Sequence, residues 1–530
     1  MTEHVLNDET ADAAPRRVPK ICGADVELGN FILGRDRSGP SGREASRALL
    51  REIDAPFALL AACAYDPQDW GRKFLRSMSG CVYIDSDHLE CALPEVRSAW
   101  DHVAAWHAML RIARQALHDA NAKLPEGQTL HVLVNNSDGK GHAYGSHLNF
   151  LVTRRAWDGI FERKLHHLLF LAAFQVSSVV FTGQGKVGAE NGRPEAAYQL
   201  SQRADFFEAI VGPQTTFHRP IVNSRDEPLC GGRVGGAEPA TPAADLARLH
   251  SIFFDATLCH GSSLLKVGTM QLVLGLLEAE RVNPSLILDD PVMAVVRWSH
   301  DPTLRARAPL ASGDALTAVE LQMRFLEEAQ RFAATGGYDD IVPRADEILA
   351  LWEDTLLRLR GGDLVSLAPR LDWVLKLHVI RQAMAERPEL GWSDPRIKYL
   401  DHAYAHLDTT TGLYWAYEET GAVERVVSDE TIARFVHEPP EDTRAWGRAM
   451  LLRRAASDEV LSVDWDRICF RRDGRGCWPI LRTVHLDDPL GFTRAAIGDL
   501  VEGSSSLDEI LDGLVAAATF DTTPTMEERR

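Results

Sequence analysis

Nowhere in the 530 residues does an apolar run approach the ~18 residues that a membrane-crossing helix requires, so no transmembrane segment is expected. Basic charge is also in short supply. The 57 Lys and Arg stand against 76 Asp and Glu, and the net charge of −19 argues against a nucleic-acid-binding protein. The eight cysteines never form a C-x-x-C pair. Neither a disulfide framework nor a zinc site is indicated, and reduced thiols in a cytoplasm are expected. The polar start, Met1-Thr2-Glu3-His4, lacks the apolar core of a signal peptide, and no internal repeat is found. At this length the chain exceeds one ordinary domain and can bury a large core.

What is present is acidic residues on alternating strands. In Ile21 to Gly29, Asp25 and Glu27 share one face while Ala24, Val26 and Leu28 share the other. Two carboxylates side by side repel unless a cation lies between them, and hard cations such as Mg²⁺ take oxygen ligands. A solvated strand face is the alternative. In Gly80 to Glu95, Tyr83 and Asp85 share a face, and Glu90 and Glu95 follow a short turn, which reads as a metal and acid/base cluster. A third segment, Ser137 to Phe150, is a glycine-rich loop running into an alternating strand, with His147 and Asn149 on one face and Leu148, Phe150 and Val152 on the other. The loop is expected to offer backbone N–H groups to phosphate oxygens, and the histidine to ligate a cation. Taken alone, this segment is equally compatible with a buried, hydrogen-bonded histidine.

Together these segments resemble the Pup ligase and depupylase family, related to glutamine synthetases and other carboxylate–amine ligases. The resemblance rests on Gly23 to Gly29, on Tyr83-Ile84-Asp85 with His88-Leu89-Glu90, and on Asn135 to Gly141 with Tyr144 to Asn149. Gln199 to Asp205, Asn223 to Pro228, Arg248-Leu249-His250, Leu265 to Thr269, Pro439 to Ala445 and Val463-Asp464-Trp465 follow in family order, so that roughly residues 19 to 500 are covered.

The resemblance implies an α+β fold, with a glutamine-synthetase-like antiparallel sheet cradle packed with helices and a small C-terminal domain. It implies a Mg·ATP site in which Asp25, Tyr83 and Glu90 are metal ligands with Glu27 and His147 close by, and in which Asp85 is the catalytic carboxylate. Arg225, Arg444 and Trp465 are candidates for the nucleotide, Trp465 being equally readable as a core residue, and Arg203 and His250 are candidates for the substrate. For each arginine a structural ion pair is an equal reading. The implied partner is a Pup-like small protein or peptide.

Several positions depart from the family: Cys81 where an Arg is usual, Leu148 for a Glu, Leu229 for a His, Thr257 for an Asn and His260 for an acid. The wording of Asp138 to Gly141 and Gln199 to Arg203 is nearer the depupylase branch. Yet only 55 residues separate Gly29 from Asp85, too few for the long insertion of depupylases. The reading leans to hydrolysis at a C-terminal Glu or Gln. A ligase working through an acyl phosphate and a non-catalytic nucleotide-binding relative are the alternatives.

Along the chain, residues 1–18 are expected to be disordered, 19–428 to form the catalytic domain, 429–519 a smaller domain and 520–530 a flexible tail. Helices are expected over Val96 to Asn121, Glu162 to Gln175 and most of 315–390, with a break at Trp392 to Pro395 and a mobile loop over Cys230 to Pro242.

Overall fold

The computed structural model describes residues 17–35, 41–53, 70–230, 245–472, 480–516 and 520–521. Its main sheet contains β1 (Cys22–Leu33), β2 (Trp70–Phe74), β3 (Cys81–Asp85), β4 (His88–Val96), β5 (Thr129–Leu133), β6 (Ser146–Thr153) and the strand Leu246–Ser251. Period-two alternation gives the sheet two different faces. Val26, Leu28, Val82, Leu89, Leu148 and Phe150 are all buried in the main apolar core on one side. The polar residues between them leave by the other side. Leu246–Ser251, β6, β1, β4, β3 and β2 pair in that order, every pair antiparallel, and β5 joins the far end of β1.

The helices Ala99–Asn121 and His260–Glu278 pack on each other on the apolar side. Ser98 caps the first by accepting from the Asp101 N–H at 3.0 Å. That helix begins after Val96 because Val96 is still paired with Cys22 at the end of β4. The next expected helix is in fact the wide turn Gly159–Arg163 followed by the helix Leu165–Ser177. The helical region from 315 contains Ala318–Ala333, Ala345–Gly361 and Asp372–Glu386. The first has a capping box between Thr317 and Glu320 and buries Leu321, Phe325 and Ala329. Asp394 and Pro395 open a new helix, Pro395–Tyr404, after the expected break.

Two boundaries shift. Val18, inside the segment expected to be disordered, is buried and donates its N–H to Glu278 Oε2 at 3.2 Å. The helix Asp429–His437 packs on Ala99–Asn121 and sends Ile432 and Phe435 into the main core, so the smaller core begins only at the helix Arg444–Arg454. That second core combines a four-stranded antiparallel sheet, running from Val460–Val463 to Phe520–Asp521, with three helices. It rests on Phe74, Cys81 and Ala92, on the polar side of the main sheet. The loop expected over Cys230 to Pro242 lies, beyond Cys230, outside the described residues. So do residues 1–16 and the tail from 522. Among the described residues, no helix is long and apolar enough to cross a membrane.

Candidate active site

Strand register brings the acidic residues together. Glu27 is opposite Glu90 across β1 and β4, Glu90 is opposite Tyr83 across β4 and β3, and Asp25 is opposite His147 across β1 and β6. Directly opposed residues of an antiparallel pair share a face. Asp25, Glu27, Tyr83, Glu90 and His147 therefore stand on one surface. Asp85 ends β3 and pairs with His88 across a two-residue turn. Both turn residues, Ser86 (φ 47°) and Asp87 (φ 76°), take the left-handed conformation that such a hairpin turn needs, at a steric cost for non-glycine residues. Ser46 Oγ donates to the Asp87 carbonyl at 2.7 Å and Arg43 pairs with the Asp87 carboxylate at 2.5 Å, fixing the turn.

The carboxylates are tuned apart. Burial, with the neighbouring charges of Glu27, Asp25 and Asp85, pushes the Glu90 carboxyl well above its usual range. Burial likewise raises Asp25, against a 2.8 Å hydrogen bond from Asn149 Nδ2, and raises Asp85, with Glu27 adding to the effect. Glu27 goes the other way. Burial acts against it, but His88 Nδ1 at 3.0 Å, the nearby His147 and the Gly145 N–H at 3.0 Å hold it below the ordinary range. Tyr83 is held as a phenol by burial and by the charges of Glu90, directly opposite it, and of Asp25. Burial and Arg203 lower His147 to about 3, leaving a neutral imidazole able to ligate a cation. Crowded oxygen donors with too little positive charge among them match a hard divalent cation.

Two hollows flank this surface. One, of about 740 Å³, is lined by Glu27, Asp85, His88, His147, Phe217 and Arg219. The other is lined by Asp25, Asn149, Leu229, Arg248, Arg444 and Trp465, and is roofed by the smaller domain. Trp465 meets Phe74 edge-on at 5.1 Å and lies under Arg448 at 4.9 Å, so its indole serves both the second core and this hollow. Arg444 donates to Glu95 at 2.8 Å and to the Leu486 and Leu229 carbonyls at 2.7 Å each, which fixes the hollow's wall. Arg225 is 38% exposed and only 3.7 Å from Glu227. His250 lies 2.8 Å from Asn149 Oδ1, its ring 5.0 Å from that of His147. Arg203 is fully buried. Its Nη1 reaches the Ile252 and Phe254 carbonyls, while Nε and Nη2 have no partner.

One expectation is overturned. The glycine-rich loop does not present its N–H groups for phosphate. Asp138 Oδ1 accepts from Lys140 at 2.7 Å and His142 at 3.1 Å, Ser137 Oγ from Gly139 at 3.2 Å, Glu190 from Gly141 at 3.2 Å, and Glu27 from Gly145. The loop is tied to its own side chains and to Glu190, and it helps to position Glu27. Of the departures from the family pattern, Leu148 is core-facing and Cys81 is buried against the smaller domain. Leu229 adopts φ 47° and lends its carbonyl to Arg444.

Asn149, which alternation placed beside His147, belongs to the site, and so do His88 and Arg248. The last two stand within motifs read from the sequence, but alternation gave no reason to separate them from scaffold. Arg248 bridges Asn149 Oδ1 (2.7 Å) and Glu227 Oε2 (3.3 Å). Arg219 and Arg448 carried no such signal. Arg448, with Arg444, brackets Glu95 and holds its carboxyl at about 2, burial notwithstanding.

Residues 54–469 match the family described as Pup-ligase protein. A depupylase of Acidothermus cellulolyticus is 37% identical over 434 residues, covering 82% of this chain and 81% of the relative. A Pup–protein ligase of Sanguibacter keddieii is 33% identical over 492 residues, covering 91% and 99%. Among solved structures, the ligase PafA in complex with the prokaryotic ubiquitin-like protein Pup superposes with a TM-score of 0.75 at 26% identity, over 94% of this chain and 95% of that one. The chain belongs to the Pup-ligase family, whose named members include both depupylases and Pup–protein ligases.

Proposed function

We propose that the chain is a Mg·ATP-dependent cytoplasmic enzyme acting on the C-terminal Glu or Gln of a Pup-like protein or peptide, and that it favours depupylase- and deamidase-like hydrolysis. The observation that carries this reading is the buried opposition of Glu27 and Glu90, with Asp85 beside them on the wall of the 740 Å³ hollow. In this reading Asp25, Glu27, Glu90 and His147 hold the cations, with Tyr83 as a neutral phenol opposite Glu90. Bound there, Mg²⁺ and the nucleotide would supply the charge neutralisation that phosphoryl and acyl chemistry needs.

Asp85 is the attacking or water-activating carboxylate, and with its carboxyl raised by burial it needs cationic neighbours to stay ionised at neutral pH. Arg203, whose buried Nε and Nη2 lack partners, and His250 hold the substrate carboxylate. Arg225 and Trp465 face the nucleotide, and Arg444 holds the wall on which Trp465 stands. Six free cysteines among the described residues suit a reducing compartment. Hydrolysis adds water across the side-chain amide, releasing ammonia or a lysine amine and leaving the side-chain carboxylate of a C-terminal Glu.

A ligase is the second reading, favoured by the 55-residue spacing of Gly29 and Asp85 and by a ligase relative matched over 99% of its length. Phosphate release measured against product separates the two. With peptides ending in Gln, or an isopeptide-linked conjugate, hydrolysis without matching ATP loss supports the first. Stoichiometric phosphate release with a Glu-ended peptide plus an amine overturns it.

A further inference from the structure

Three helices meet on the apolar side of the main sheet, away from the carboxylate surface, and each contributes one metal-binding side chain. His107 comes from the middle of Ala99–Asn121, His260 from the start of His260–Glu278 and Glu418 from the end of Leu413–Glu419. One ligand atom from each lies within 4.8 Å of the others. His107 is 3% exposed and His260 is fully buried, and the Nε2 atom of each has no hydrogen-bond partner. A buried ring nitrogen left without a partner is costly, and two of them beside one carboxylate call for an explanation.

We propose that His107, His260 and Glu418 bind a first-row divalent transition metal, zinc foremost, which ties these three helices together. Two imidazole nitrogens and one carboxylate oxygen, with a further position left for water, form a donor set that suits Zn²⁺ and Co²⁺ better than Mg²⁺ or Ca²⁺. Ligand atoms around a tetrahedral ion with bonds of about 2.0–2.2 Å stand about 3.4 Å apart, so atoms within 4.8 Å of one another need to close by at most about 1.4 Å.

His107 is prepared for this, because a hydrogen bond to the Leu258 carbonyl occupies its other nitrogen and leaves Nε2 as the lone pair. His260 must carry its proton at Nδ1, which gives up the long 3.3 Å contact from the Val426 N–H, a small loss beside a metal bond. Both imidazoles are enclosed by the helices that carry them, so bulk water does not compete for their ring nitrogens. The surrounding guanidinium groups are already engaged. Arg425 pairs with Glu418 Oε1 at 2.8 Å and with Asp429, Arg111 pairs with Asp429, and Arg114 stacks on Trp415 at 4.0 Å. They disfavour a loosely held ionic cation and leave Glu418 Oε2 for a nitrogen-bound one.

The test uses the full-length chain, stripped of metal and free of nucleotide, titrated with Co²⁺. Beyond any cobalt taken up by the carboxylate surface, the expected result is one equivalent bound with visible absorption bands of nitrogen-ligated cobalt, displaced by Zn²⁺. The bands should persist in Glu90→Gln, whose change lies on the other face of the sheet. Affinity should fall by more than about a hundredfold in His260→Asn and in Glu418→Gln, the latter a partly exposed position at which the fold is expected to survive. Zinc should raise the unfolding temperature of the wild type and of Glu90→Gln, but not of Glu418→Gln. Absence of nitrogen-ligated cobalt, or bands unchanged in both site variants, or bands lost in Glu90→Gln and kept in His260→Asn, would overturn the proposal.

Discussion

Glu27 on β1 faces Glu90 on β4 at the same register, with 9% and 4% of each residue exposed. His88 and the Gly145 N–H stabilise the charge of the first, and burial among like charges disfavours the charge of the second. In the absence of a cation this opposition opposes folding, and the pH dependence reveals it. The Glu90 carboxyl is raised above its unfolded value of 4.5, so its contribution to stability is fully present below pH 4.5 and is lost as pH rises through the higher folded value. Metal-free Glu90→Gln should therefore be more stable than wild type at neutral pH, with the difference shrinking towards pH 4.5. Thermal unfolding of both proteins across pH 4.5 to 8 measures this, and a difference that does not vary with pH would contradict it.

Asp85→Asn keeps the shape and removes the base. We expect turnover to fall by about 10² or more while nucleotide affinity stays within about threefold. Steady-state kinetics with a Gln-ended peptide, together with nucleotide titration, checks both halves. Normal turnover would remove Asp85 from its assigned role.

Arg203→Lys substitutes a point charge for a fork whose Nε and Nη2 lack partners. Loss of a charge-assisted hydrogen bond, about 1.5–3 kcal/mol, should lower kcat/KM by about tenfold to a hundredfold. Circular dichroism should be unchanged. Unaltered kinetics would make Arg203 scaffold alone.

Glu95 is a structural counterpart to the site carboxylates. It lies between Arg444 (2.8 Å) and Arg448 (2.5 Å), joining β4 to the smaller domain. Glu95→Gln leaves two buried guanidinium groups without their counter-ion and should destabilise the protein by about 3–5 kcal/mol. Because the Glu95 carboxyl is held at about 2 against an ordinary 4.5, its contribution is present above pH 4.5 and is lost as pH falls towards 2. Urea unfolding at pH 7 and pH 3 should show a smaller difference between wild type and variant at the lower pH.

The placement of the candidate residues was legible where local periodicity governs. Alternation in β1, β3 and β6 put Asp25, Glu27, Tyr83, Asp85 and His147 on the right faces, and it accounted for Leu148 as a core residue. It could not show which backbone groups the glycine-rich loop would spend on Asp138, Ser137 and Glu190, because such local hydrogen bonds compete with ligand binding without altering any pattern. Nor could it join Arg448 to Glu95, a contact made only once the smaller domain folds over the sheet. For the same reason the sequence pattern puts the boundary of the smaller domain at 429, whereas the helix Asp429–His437 packs into the main core. Its amphipathic pattern demands an apolar partner but does not say which one.

The most direct test of the central claim, that the opposed carboxylates hold a metal–nucleotide complex, is calorimetric titration of ATP into the wild type and Glu90→Gln, with and without Mg²⁺. The account predicts Mg²⁺-dependent binding of ATP by the wild type, weakened by at least about tenfold, 1.4 kcal/mol, in Glu90→Gln. Absence of binding to the wild type, or equal binding by the two proteins, would contradict it.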